Sequence, residues 1–247
     1  MFNFFKSRPK EPVKLCFNTD IHCHVVPGID DGAKTAESAV DLIERMQGWG
    51  IERIIASPHV TQETFENDRT TIEPALEALH AELRRRGNHI EVLHSAEYRI
   101  DGLLSQRLED NDIMPYPNDY ILIENSFLQE PWNIDQLVFD LQVRGLKPVM
   151  AHPERYSYYH YHPERYRQLH DAGLALQINL LSLAGYYGTA EQKMARNLIR
   201  DGLVSFIGTD LHNTRHADSI DAYLRTSAAY ADMEALAPMI RNNTAFF

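Results

Sequence analysis

The chain has 247 residues, with 24 Lys and Arg against 35 Asp and Glu, a formal charge of −11, 44% hydrophobic and 24% charged residues. That length suits one α/β domain of barrel size, about 250 residues, and the acidity argues against a nucleic-acid binder, which would carry a basic stripe. Two cysteines, Cys16 and Cys23, are too few for a disulfide framework or a Cys-based zinc finger.

Residues 1–10 mix aromatic and basic side chains and lack the apolar core of about 7–15 residues that a signal peptide needs. No run approaches the ~18 apolar residues of a membrane span. The expectation is a cytoplasmic protein with a flexible tail over 1–14, at most peripherally associated with a membrane, and a single domain over 15–247.

Strand and helix signals then alternate. A strand is expected over 15–22, then a helix over 35–47, where Ala36, Val40, Ile43 and Met46 recur at helical spacing before Gly48 and Gly50. The apolar run 53–57 reads as a buried strand, and 71–86 as a helix with Ile72, Leu76, Leu79 and Leu83 on one face. Next come a strand over 90–95, a short helical piece over 103–108, a strand over 120–123 and a helix over 134–144. The final predicted elements are strand 148–151, helix 163–172, strand 174–178, helix 190–201, strand 204–207 and a helical region from about 219. Roughly seven βα units with short connections imply a mostly parallel sheet covered by helices.

Metal-ligand side chains recur just beyond these strands. His22 and His24 end the first unit, with Asp31 in the turn Pro27-Gly28-Ile29-Asp30-Asp31-Gly32. His59, Glu97, Glu124 and His152 follow the next four strands, and Asp210 and His212 follow the last. Singly, each has a plain reading: two histidines can line a sheet face, Asp31 can cap the helix at Thr35, and a glutamate can sit on the surface. In extended chain, however, His22 and His24 point to one side. An open sheet would spread six strand ends over about 25 Å, at about 4.8 Å per strand, whereas a closed barrel gathers them into one ring at the face where barrel active sites lie. The barrel is the expected fold, and nine such side chains are enough for a polynuclear centre.

His22-Cys23-His24-Val25-Val26-Pro27-Gly28-Ile29-Asp30-Asp31-Gly32, Ser57-Pro58-His59, Ala151-His152-Pro153-Glu154-Arg155-Tyr156 and Gly208-Thr209-Asp210-Leu211-His212-Asn213 resemble the motifs of the polymerase-and-histidinol-phosphatase (PHP) superfamily. Within it they resemble the manganese-dependent protein-tyrosine phosphatases of bacterial capsular and exopolysaccharide loci, over about 20–213, and 177–188 is similar to that branch too. The resemblance implies a distorted (β/α)7 barrel with three divalent ions, manganese first, iron or zinc as alternatives. It implies His22, His24, Glu97 and Asp210 around the first ion, Glu97 bridging to a second with Glu124 and His152, and Asp31, His59 and His212 around the third.

By the same resemblance Arg155 contacts phosphate, and Asp210 and Arg155 are the catalytic residues. A second family arginine lies a few residues past the Asp-x-His motif; Ala217 stands at the aligned position, and Arg215 nearby is the candidate. The implied activity is phosphotyrosine hydrolysis by a metal-activated hydroxide, on a bacterial tyrosine autokinase that controls polysaccharide export. The alternative is a small-molecule phosphatase such as a histidinol-phosphate phosphatase. A cysteine mechanism is not expected, because His22 and Ile29, not arginine, stand six residues past Cys16 and Cys23. His-Pro-Glu-Arg-Tyr recurs at 162–166, where Pro163 suits a first helical turn and a structural role. The tyrosines between the two copies read as a loop by the site, free to stack on a substrate or to pack on the surface.

Overall fold

A computed structural model describes residues 11–246, so residues 1–10 of the expected tail lie outside it. Of the remainder of that tail, Val13 N donates to Leu224 O at 2.8 Å and Lys14 Nζ to Gly48 O at 2.5 Å.

The predicted first strand shortens to β1, Thr19–Asp20, and the helix after it is α1, Ala36–Trp49. Thr35 caps α1 with its side chain and Gly50 ends it in the left-handed region, the two signals that place its ends. Then come β2 (Arg53–Ala56), β3 (His59–Thr61), β4 (Phe65–Glu66) and α2 (Arg69–Arg85), which Asp68 caps. Next are β5 (Glu91–His94), β6 (Glu97–Arg99) and α3 (Gly102–Glu109). β7 (Tyr120–Glu124), α4 (Ile134–Val143), β8 (Lys147–Ala151) and α5 (Glu164–Asp171) follow. Last come β9 (Ala175–Asn179), α6 (Leu180–Ala184), α7 (Thr189–Arg200), β10 (Val204–Gly208), α8 (Thr214–Tyr223) and α9 (Ser227–Leu236). The final helical region therefore starts earlier than expected, because Asn213 accepts from His216 N and caps α8.

The strands close a ring. β1, β2 and β5 pair in parallel, and β6, β7, β8, β9 and β10 continue in parallel beside β3. β2 runs on into β3 across Ser57 and Pro58, and β5 into β6 across Ser95 and Ala96; Glu97 N donates to Pro58 O at 3.0 Å across the break. Between first and last strands, Cys23 bridges Leu211 and Asp210 N donates to His22 O at 2.7 Å. Lower down, a side chain replaces the ladder: Asn242 Nδ2 donates to Thr19 O and Ile207 O, and its Oδ1 accepts from Ile207 N. This is the expected distorted (β/α)7 barrel, with its seam laced by the C-terminal segment.

Two apolar clusters fill it. The larger packs the helices onto the outer strand faces. The smaller, with Ile55, Leu122, Val149, Ala175 and Phe206, fills the barrel, and Phe246 closes its amino-terminal end against Tyr116, Tyr120 and Phe206. Along a strand, alternate residues share a face. On β7 that face passes from Leu122 to Glu124, and on β9 from Ala175 to Gln177 and Asn179. The interior is thus apolar below and polar at the carboxyl ends, where the site lies. No helix among the described residues is long and apolar enough to cross a membrane.

Candidate metal centre

All nine residues picked out by type meet at the carboxyl-terminal mouth of the barrel. Potential ligand atoms group as His22, His24 and Asp210; as His22, Glu97 and His152; as His59, Glu97 and Glu124; and as His24, Asp31, His59 and His212. Glu97 is common ground. Its Oε2 lies 3.3 Å from His22 Nε2, 3.6 Å from His24 Nε2 and 3.0 Å from His59 Nδ1, and its Oε1 lies 3.0 Å from His152 Nε2. Glu124 Oε1 is 3.6 Å from His152 Nε2. On the outer side, Asp31 Oδ1 stands 3.5 Å from His59 Nε2 and 3.3 Å from His212 Nε2.

Local backbone aims these groups. His152 and Asp210, immediately beyond β8 and just past β10, adopt φ of 35° and 52°. Left-handed conformations in non-glycine residues cost about 1–3 kcal/mol each and cluster at functional sites. Two glycines admit the histidines: a Cβ on Gly208 would come within 2.5 Å of His22 Cβ, and one on Gly32 within 2.1 Å of His24 O.

A second set of side chains fixes the rings. His22 Nδ1 pairs with Gln177 Oε1 at 2.7 Å, and His24 Nδ1 with Asp30 Oδ2 at 2.9 Å, leaving both Nε2 atoms toward the centre. Asp30 also accepts from Gly32 N and His59 N. Asp20, fully buried, accepts from His22 N and from Thr209 N and Oγ1. Such outer partners orient ligands and set imidazole tautomers. Asp20, Asp30 and Gln177 carried no ligand signal of their own in the sequence; only contact with His22, His24 or Asp210's strand reveals them.

The donor set fits divalent metal. His22 Nε2, His24 Nε2, Glu97 Oε2 and His152 Nδ1 are buried with no hydrogen-bond partner among the described residues. Unmet polar atoms of this kind cost about 1–3 kcal/mol each, and two of them, on His22 and His24, lie within 3.6 Å of a third, Glu97 Oε2, a trio that calls for a cation. Burial opposes ionisation of Glu97, but the imidazoles of His22 and His59 outweigh it and hold that carboxyl well below the usual carboxylate range. Burial, and then the Glu97 carboxylate, push Glu124 up. A carboxylate cluster this dense is stable when cations share it.

Over the centre lies a cavity of about 390 Å³ whose lining includes Phe65, Arg99, Phe127, Arg155, Tyr187 and His216. Arg155 Nη1 donates to Asp210 Oδ2 at 3.0 Å, and its guanidinium sits between the rings of Tyr187 and Phe127, at 4.0 and 4.8 Å. Asn179 Nδ2 and Tyr187 Oη donate to the same Asp210 oxygen. Arg215 does not line the cavity: it is exposed, its guanidinium 5.5 Å from the Tyr186 ring. The second His-Pro-Glu-Arg-Tyr copy lies away from the mouth, where Arg165 pairs with Glu130 and Asp135. Of the tyrosines between the copies, Tyr158 and Tyr159 support a loop, since both hydroxyls accept from Asn125 Nδ2, whereas Tyr161 is exposed. The aromatic rings at the mouth are instead Phe65 and Phe127, which did not stand out in the sequence, and Tyr187, which did so only as part of 177–188.

The chain is similar to several known proteins. A family model described as capsular polysaccharide synthesis, CpsB/CapC, matches residues 18–243. The chain is 34% identical over 198 residues to tyrosine-protein phosphatase YwqE of Bacillus subtilis (strain 168), covering 79% of this chain and 78% of that protein. It is 30% identical over 203 residues to tyrosine-protein phosphatase CpsB of Streptococcus pneumoniae, covering 78% and 82%. One crystal structure, from work on YwqE and CpsB as metal-dependent tyrosine phosphatases, superposes with TM-score 0.76 at 31% identity, covering 92% of this chain and 96% of that one. A histidinol phosphate phosphatase from Lactococcus lactis, complexed with zinc, histidinol and phosphate, shares the fold at TM-score 0.52 and 16% identity, covering 84% and 92%.

Proposed function

The chain belongs to the capsular polysaccharide synthesis CpsB/CapC family and is a metal-dependent tyrosine-protein phosphatase, and from that premise we propose that it removes phosphate from tyrosines of a bacterial tyrosine autokinase. Three divalent ions serve it, manganese in first place. The convergence of nine ligand-type side chains, four of them presenting unpartnered buried atoms, is the observation that carries this reading.

In this reading His22, His24, Glu97 and Asp210 would hold the first ion, Glu97, Glu124 and His152 the second, and Asp31, His59 and His212 the third. The sharing of Glu97 among four imidazoles within 3.6 Å supports a place in which it would serve two ions at once. When bound, such ions polarise phosphoryl oxygens and bring the pKa of water toward neutrality.

The protein's own groups do the rest. Arg155, stacked between two rings, is pre-set to grip two phosphoryl oxygens at once. Asp210 holds it there with one oxygen while its other oxygen faces His22, His24 and His212. The cavity's aromatic walls, Phe65 and Phe127, suit a phenyl phosphate ester. A phenolate leaves readily, so the reaction makes little demand on a general acid. The test is direct: phosphotyrosyl peptide should be hydrolysed far faster than histidinol phosphate by the manganese-loaded protein, and the reverse preference would overturn the assignment.

A further inference from the structure

We propose that Arg99 is the second guanidinium that binds the substrate's phosphoryl group, an assignment that rests on the phosphatase reading above. Arg99 closes β6, two residues after Glu97, so one short strand delivers both the shared carboxylate and this arginine to the mouth. Among the described residues lining the cavity, Arg99 and Arg155 are the two that carry a permanent positive charge.

Phe127 organises the pair. The guanidinium carbons of Arg99 and Arg155 lie 5.6 and 4.8 Å from the centre of its ring. Two cations held near one ring at the edge of a cavity repel each other, and an anion between them offsets that repulsion. Neither has a carboxylate to itself. Arg99 Nη1 is 3.4 Å from Glu124 Oε2, but Glu124 also faces His152; Arg155 shares Asp210 with three histidines. Arg99 is further anchored by donating to Asn125 O at 2.5 Å, which turns a flexible side chain into a fixed one. A phosphate dianion entering over the centre meets two guanidinium groups beside Phe127, and Arg215 does not line the cavity.

The rival role for Arg99 is to steady Glu124 and nothing more. Arg99→Ala, Arg99→Lys, Arg155→Ala and Arg215→Ala separate the two in the manganese-loaded protein. The readouts are kcat/KM on p-nitrophenyl phosphate, competitive inhibition by inorganic phosphate, and metal content by elemental analysis. Losing a hydrogen bond to a charged group should weaken phosphate inhibition and kcat/KM on the order of 10- to 100-fold in Arg99→Ala, with metal content unchanged. Arg99→Lys should regain part of the phosphate affinity and little of kcat/KM, since lysine lacks the planar fork; Arg215→Ala should match the parent.

Unchanged phosphate inhibition in Arg99→Ala overturns the proposal, whether or not metal is lost. If Arg99→Ala does not fold, parent-like kcat/KM in Arg99→Lys overturns it equally. Failure of the manganese-loaded parent to hydrolyse p-nitrophenyl phosphate would sink the phosphatase reading itself; unchanged phosphate inhibition in Arg99→Ala, with the parent active, costs only the role of Arg99.

Discussion

Arg155 and Tyr187 are stacked, with the guanidinium carbon 4.0 Å from the centre of the phenol ring, and both donate to the same oxygen of Asp210 at 3.0 Å. Asp210 thereby divides its carboxylate: Oδ2 organises the groups facing substrate, and Oδ1 faces three imidazoles at 3.4–3.5 Å. Asn179 adds a third donor to Oδ2 at 2.6 Å. In the function proposed above, this one side chain would couple metal binding to phosphate binding.

Tyr187→Phe keeps the ring over Arg155 and removes one of three donors to Asp210. A loss of about 3- to 10-fold in kcat/KM is expected, and about 10- to 100-fold for Tyr187→Ala, which also loses the stack. Steady-state kinetics on p-nitrophenyl phosphate would check the order; equal effects from both would deny the stack any role.

Arg155→Ala should lower kcat/KM by about 100-fold or more while metal content and Tm stay near the parent's. Arg165→Ala, in the repeated motif, breaks pairs with Glu130 and Asp135 and should cost about 1 kcal/mol of stability with activity kept. Similar kinetic losses from the two would mean the wrong copy has been assigned to the site.

Activity should depend on metal and not on thiol. A chelator should abolish aryl phosphate hydrolysis and manganese should restore it. Burial pushes the Cys16 thiol up to about 11 and Cys23 well above its usual value, so neither is a thiolate near neutrality. The double variant Cys16→Ser, Cys23→Ser should remain active; loss of activity in a folded, metal-loaded sample would sink the idea.

Glu97→Gln should lose activity and at least one metal equivalent, measured by elemental analysis after gel filtration, because its charge serves four imidazole neighbours at once. His59→Ala should chiefly deplete the ion shared with Asp31 and His212. Full metal occupancy with normal turnover in Glu97→Gln would place Glu97 outside the centre.

Asn242→Ala should destabilise the fold without touching the chemistry. It strands Thr19 O, Ile207 O and Ile207 N at a buried seam, a cost of about 3 kcal/mol. The expected result is a lower Tm in calorimetry, with kcat on p-nitrophenyl phosphate near the parent's at a temperature where the variant is folded.

The order of the main strands and helices and the nine ligand-type residues were legible in the chain because both are local. Helical spacing in 36–46 and the stops at Gly48 and Gly50 mark α1 without reference to anything distant, and imidazole or carboxylate just past a strand is visible one residue at a time. The breaks at Ser57-Pro58 and Ser95-Ala96, the seam lacing by Asn242, and the partners Asp20, Asp30, Gln177, Asn179 and Arg99 were not legible. Their roles depend on which strand ends meet, and neutral amides or surface-type charges give no signal until a neighbour more than a hundred residues away, as Gln177 is from His22, comes within 2.7 Å. Residue type alone therefore determined that this chain could gather metal ligands. Barrel closure decided which atoms face one another, because contact distance, not sequence distance, sets the energy of a charge or a hydrogen bond.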